Sequence, residues 1–152
     1  MPLRALVCDD DTPIRKMVCD ILLKNAVEVV EAQNGKEALA ILMKEKLDLV
    51  IVDFLMPQVD GLQVIRNLRL SSQYGKQIPV VLMSAISRHQ IENEQKEFIP
   101  DYYINKPFKP KKMAKLLARI LTKLKAKEKT RDDIARDNST SRVTPNDSLD
   151  ND

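Results

Sequence analysis

Four stretches of the chain, 3–8, 27–32, 49–52 and 78–83, are short, rich in apolar and β-branched residues, and bounded by polar or turn-forming positions. Runs of this length without strict two-residue alternation are what strands buried on both faces look like, as in a parallel sheet. A fifth, weaker run, 102–104, precedes Lys106-Pro107. Helical spacing fills the gaps between them. Ile14, Met17, Val18, Ile21 and Leu22 predict a first helix, with Thr12 as its N-cap and Pro13 at the first helical position. Ala38, Leu39 and Leu42 predict a second behind Asn34-Gly35, and Leu62, Ile65, Leu68 and Arg69 a third behind Asp60-Gly61. The segment 87–98 is mostly polar, with Ile91 and Phe98 as its apolar anchors, and predicts a thinly packed fourth helix. Met113, Leu116, Leu117, Ile120, Leu121 and Leu124 mark a long fifth.

Strand and helix therefore alternate five times, which predicts an α/β fold: a doubly wound parallel sheet with five strands, five helices and right-handed crossovers. Beyond Lys127 apolar positions nearly vanish. Residues 1–127 are expected to form one domain, and 128–152 a disordered polar tail that buries too little surface to offset its ordering entropy.

Composition narrows the setting. With 43% hydrophobic and 31% charged residues, the chain reads as a globular protein. Its longest apolar stretches are too short to span a bilayer, and the N-terminus lacks the three parts of a signal peptide. Cys8 and Cys19 fall in apolar segments and read as buried free thiols. A cytoplasmic location and no membrane partner are expected. A net charge of +3 is too small to call for nucleic acid as a partner of this chain alone, although 106–131 is basic and most naturally a solvated helical face.

In an open parallel α/β sheet, ligands bind beyond the carboxyl ends of the strands. The first strand ends in Asp9-Asp10-Asp11, the third in Asp53, the fourth in Ser84, and the fifth runs into Lys106. One of these Asp residues, such as Asp11, serves as a cap or turn former without further meaning. Several carboxylates at one edge are different, because two of them 4 Å apart repel by ~4 kcal/mol at an effective dielectric near 20. A cation is needed, and an oxygen-only donor set favours Mg²⁺ before Mn²⁺ or Ca²⁺. A metal, an ammonium and a hydroxyl together suit the oxygens of a phosphoryl group in transfer, with Asp53 as the nucleophile that becomes an aspartyl phosphate.

The segments Cys8-Asp9-Asp10, Asp53-Phe54-Leu55-Met56-Pro57, Asp60-Gly61, Met83-Ser84-Ala85 and Lys106-Pro107-Phe108, in this order and spacing, resemble the receiver domains of response regulators in two-component signalling, stand-alone chemotaxis-type members included. The resemblance covers residues 3–125. It implies a flavodoxin-like sheet of order 2-1-3-4-5. It also implies Asp53 as phosphoacceptor from a sensor histidine kinase or phosphotransfer protein. The metal, Mg²⁺ with Mn²⁺ as a substitute, would be bound directly by Asp10, mainly through water by Asp9, by Asp53, and by the backbone carbonyl of Leu55. Lys106 would meet the phosphoryl oxygens across a cis Lys106-Pro107 peptide. Ser84 would move toward the phosphoryl group, and Tyr103 stands where the family has its switch aromatic. Output would pass to an unknown downstream protein, and the chain would be a switch rather than a turnover enzyme.

Two departures from the family pattern carry consequences. Phe98-Ile99-Pro100-Asp101-Tyr102 is bulkier than the usual approach to the switch aromatic, and Leu55 and Ile86 are apolar where similar proteins often have polar groups that assist a hydrolytic water. Two other functions compete with the switch. One is the receiver portion of a DNA-binding regulator whose output domain is missing. The other is a haloacid-dehalogenase-type phosphatase, suggested by Asp9-Asp10-Asp11-Thr12, but Pro13 breaks that motif and Asp53 goes unexplained. His89, the single histidine, reads as a surface residue.

Overall fold

In the computed structural model, residues 2–71 and 73–150 are described, with side chains over 2–71 and 74–138. The strands are β1 Arg4–Cys8, β2 Glu28–Ala32, β3 Leu49–Asp53, β4 Val80–Ser84 and β5 Tyr102–Asn105. They form one parallel sheet of order β2-β1-β3-β4-β5. β3 and β4 are buried at every position, which is why their sequences show no alternation. β2 lies at an edge and carries exposed Glu28 and Glu31.

Six helices appear among the described residues: α1 Thr12–Lys24, α2 Gly35–Lys44, α3 Gly61–Ser71, α4 Gln73–Gln77, α5 Arg88–Glu94 and α6 Pro110–Asp150. The sequence predicted five; α4 is the addition. Its five residues, QYGKQ, have no apolar repeat, so the turn is held by long-range bonds instead. The Tyr74 hydroxyl accepts from Leu47 N at 2.9 Å, and Arg69 donates to the carbonyls of Gly75 and Ile78. The N-cap of α1 also moves by one residue. Asp11 caps it, accepting from Ile14 N at 3.3 Å, while Thr12 is already helical. The predicted 87–98 helix shortens to α5, opened by a Ser87–Gln90 capping box and anchored by buried Ile91.

The chain divides into two compact units, Met1–Ala114 and Lys115–Asp152, and the sheet with all its strand ends lies in the first. In the second, Leu117, Ile120 and Leu121 are buried and keep the predicted helical repeat. The bounds of α6 extend to Asp150. Ala126, Lys127, Glu128, Lys129 and Arg131 are good helix formers, which favours helix just past Lys127. Side chains 129–138 are all exposed, and those of 139–152 lie outside the described residues. No helix among the described residues is long and apolar enough to cross a membrane.

The packing that shapes the site is close where α3 meets β3. At Gly61 an added Cβ would overlap the Asp53 carbonyl oxygen and come within 3.0 Å of Leu82 Cδ1. Asp60 and Gln63 exchange two bonds of 2.9 Å each and fix this first turn. Gly61→Ala is therefore expected to lower stability by ~1–3 kcal/mol, read by urea unfolding, because the backbone behind Asp53 has to move. Unchanged stability would mean that α3 is free to shift.

Candidate metal centre at the carboxyl edge of the sheet

Strand register builds the site. Cys8 lies beside Val52, Asp53 beside Met83, and Ser84 beside Asn105, so the residues that follow each strand gather at one edge. Asp9, Asp10 and Asp53 each offer an oxygen within 4.8 Å of the others. Lys106 Nζ lies 2.8 Å from Asp9 Oδ2 and 3.1 Å from Asp53 Oδ1. Asp9 is 0% exposed, and its Oδ1 accepts from Asp11 N at 2.9 Å. Asp10 is exposed.

Three carboxylates thus face one ammonium. Burial, reinforced by Asp9 and opposed by Lys106, pushes the Asp53 carboxyl up from 3.8 to about 6. Burial alone would lower the Lys106 ammonium, but its bonds to Asp9 and Asp53 outweigh that and leave it raised. The excess negative charge is what a divalent cation would neutralise. Cys8 stands one residue before Asp9, and burial pushes its thiol up to about 12, so it offers no thiolate. The donor set is oxygen only and fits a hard ion.

The remaining predicted residues lie on or just after β3, β4 and β5. Ser84 is buried, and its Oγ accepts from Ile86 N at 2.9 Å, leaving the hydroxyl proton to donate. Its carbonyl accepts from Lys106 N at 2.8 Å. Tyr103 on β5 is half-buried, with the Arg88 guanidinium 5.0 Å from its ring centre. Its hydroxyl is buried and has no hydrogen-bond partner among the described residues. Among the described residues, the side chains of Ser84 and Tyr103 make no hydrogen bond to Asp9, Asp10 or Asp53. Lys106-Pro107 is cis. Leu55 follows Asp53 by two residues with its side chain 75% exposed, and Ile86 is 38% exposed. His89 is exposed, as expected. Asp11, the second aspartate of the Asp-x-Asp alternative, uses its carboxylate to cap α1.

One residue was missed in the sequence. Arg15 is 5% exposed, and its Nη1 donates to the Asp9 carbonyl at 2.8 Å. Its register held the signal: the buried face of α1 is Arg15, Val18, Cys19 and Leu22, at spacings of three, four and seven. A charged residue in the buried stripe of a helix beside an acidic cluster marks a structural role for its charge.

A family model described as the response regulator receiver domain matches residues 5–118. The phosphate regulon transcriptional regulatory protein PhoB of Escherichia coli (strain K12) is 33% identical over 124 residues, 82% of this chain and 54% of that protein. The response regulator MprA of Mycolicibacterium vanbaalenii is 35% identical over 120 residues, 79% of this chain and 49% of that protein. The chain thus spans about half the length of the curated relatives it matches. Among solved structures, the chemotaxis response regulator CheY4 of Vibrio cholerae is similar with a TM-score of 0.72 and 32% identity, over 79% of this chain and 99% of that one.

Proposed function

The chain belongs to the response regulator receiver family of two-component systems, and from that membership we propose that residues 1–127 form a phosphoryl-accepting switch whose acceptor is Asp53. The observation that carries this is the buried Asp53 carboxylate, held 3.1 Å from Lys106 and within 4.8 Å of Asp9 and Asp10 at the carboxyl edge of the sheet. An Asp53 oxygen attacks phosphorus, the bond from phosphorus to the donor breaks, and the donor leaves with its electron pair. From a phosphohistidine of a sensor kinase or phosphotransfer protein, that leaving group is the imidazole. The product is an acyl phosphate on Asp53.

Asp9, Asp10, Asp53 and the Leu55 carbonyl would hold Mg²⁺, or Mn²⁺ in its place, and the ion supplies charge neutralisation at the phosphoryl oxygens. Lys106 provides a second cation at the same oxygens, and Ser84 a hydroxyl donor. Phosphorylation then shifts the resting packing of Ser84 and Tyr103 toward a second one that a downstream protein reads. Each chain takes one phosphoryl group and gives it up by hydrolysis, so it is a switch and not a turnover enzyme. Its place is the cytoplasm, and neither a membrane nor nucleic acid contacts this domain.

Incubation with acetyl phosphate, with and without Mg²⁺, tests the assignment by intact mass. Wild type is expected to gain one phosphoryl group only with the metal, and Asp53→Ala none. Equal uptake by both proteins would remove Asp53 from its role. The exposed Leu55 and Ile86 add an expectation about loss of the group, since neither side chain can orient an attacking water. The phosphorylated protein is expected to decay over minutes or longer, and Leu55→Gln to decay faster. A wild-type half-life of seconds, followed by phosphate release, would contradict this.

A further inference from the structure

Asp10 is the least supported member of the acidic cluster. It is exposed, and among the described residues no hydrogen bond or ion pair holds its side chain. The aim of its carboxylate therefore depends on the peptide behind it, the one formed by the Asp9 carbonyl and the Asp10 nitrogen. Among the described residues that peptide is tied down from one side, by Arg15, whose Nη1 donates to the Asp9 carbonyl at 2.8 Å. The same guanidinium donates through Nε to Glu31 Oε1 at 3.0 Å and through Nη2 to Thr12 Oγ1 at 3.4 Å. One buried side chain thus bolts the β1–α1 turn to β2 and to the start of α1. The other end of the Asp9 main chain is held too, with its N–H donated to the Ala32 carbonyl at 3.2 Å.

The charge of Arg15 is already balanced. Glu31 takes it up at 3.0 Å and is shared with Lys16 at 3.1 Å. The contribution of Arg15 to the acidic cluster is geometric: a planar fork that reaches three acceptors at once, which an ammonium cannot copy. We infer that Arg15 is a positioning residue that sets how tightly the Asp9–Asp10 turn binds a divalent cation, acting through the Asp9 carbonyl. This rests on the metal site proposed above. Groups that orient a ligand without touching the ion typically govern metal affinity by about 10- to 100-fold.

Calorimetric titration of the folded, full chain with Mg²⁺ alone tests this, alongside urea unfolding of each protein without metal. Arg15→Lys keeps the charge and loses the fork, and is expected to bind Mg²⁺ about 10-fold more weakly. With acetyl phosphate at saturating Mg²⁺, its rate of phosphoryl uptake is expected to return close to the wild-type value, because the chemistry at Asp53 is intact. Lys16→Ala breaks only the exposed arm of the Glu31 pair and is expected to bind Mg²⁺ as wild type does. An Arg15→Lys protein that is less stable yet binds Mg²⁺ within about twofold of wild type would overturn the inference, leaving Arg15 a merely structural residue. Should Arg15→Lys fail to fold, Glu31→Ala frees the same guanidinium from β2 and is read by the same two outcomes. Wild type showing no Mg²⁺ binding at all would instead strike the metal site itself, a result distinct from equal binding by wild type and variant.

Discussion

Asp53→Asn is expected to abolish phosphoryl uptake and, in the metal-free protein at neutral pH, to make the fold more stable. The loss of uptake follows from removing the nucleophile, since an amide oxygen cannot form the acyl phosphate. The gain in stability follows from the environment of the carboxylate. Its pKa is pushed from 3.8 to about 6, chiefly by burial and then by Asp9. Between those two pH values the folded chain binds the Asp53 proton more tightly than the unfolded chain does. The stability associated with that proton is fully present below about pH 4 and is lost as the pH rises through 6. Asn carries no such charge, so the variant escapes the loss. At ~1.4 kcal/mol per pH unit, the gap from 3.8 to about 6, which already includes the opposing pull of Lys106, allows at most ~3 kcal/mol. Urea melts from pH 4 to pH 8 read the effect directly: the two proteins should converge at the acid end and separate above pH 6. Added Mg²⁺ should stabilise wild type and leave the variant nearly unmoved. A variant less stable than wild type at pH 7 would show that the carboxylate is not under electrostatic stress.

The second large effect has the opposite sign. Lys106→Met leaves Asp9, which is 0% exposed, and Asp53 without the cation that lies 2.8 and 3.1 Å from them. Removing one partner of a buried ion pair costs ~3–5 kcal/mol because the other charge stays buried and uncompensated. At neutral pH the variant is therefore expected to lose on the order of 3 kcal/mol in urea unfolding, with part of that recovered by Mg²⁺ or by acid, both of which remove the uncompensated charge. Phosphoryl uptake from acetyl phosphate is expected to slow by about 100-fold, as for the loss of one charge-stabilising group at a transferring phosphoryl. Wild-type stability at pH 7 without metal would mean that the Lys106 contacts are incidental.

Asp53 stood out in the chain from the start, and for a physical reason. Strands buried on both faces must be apolar throughout, so an Asp or Ser ending such a run stands out. Asp53 after Leu-Val-Ile-Val and Ser84 after Val-Val-Leu-Met are both of this kind. The strand order and the gathering of carboxyl-edge residues then follow from the topology of a parallel sheet. What stayed hidden depends on contacts distant in sequence. α4 exists because Tyr74 and Arg69 hold it from Leu47, Gly75 and Ile78, not because its own five residues favour a helix. Arg15 was overlooked because the stripe traced through Ile14, Met17, Val18, Ile21 and Leu22 shares only Val18 and Leu22 with the face that α1 buries, and Ile14 was read in place of Arg15. The cap of α1 shifted from Thr12 to Asp11 because either side chain can accept a backbone N–H, and only the chain's exit from β1 decides between them.

Everything proposed for this chain turns on which side chain receives the phosphoryl group. An acyl phosphate on aspartate is reduced by borohydride to homoserine, which fixes the acceptor when the peptides are sequenced by mass spectrometry. After incubation with acetyl phosphate and Mg²⁺, homoserine is expected at position 53 and nowhere else, and none without the metal. Homoserine at 9, 10 or 60, or a stable phosphate ester on Ser84, would contradict the assignment.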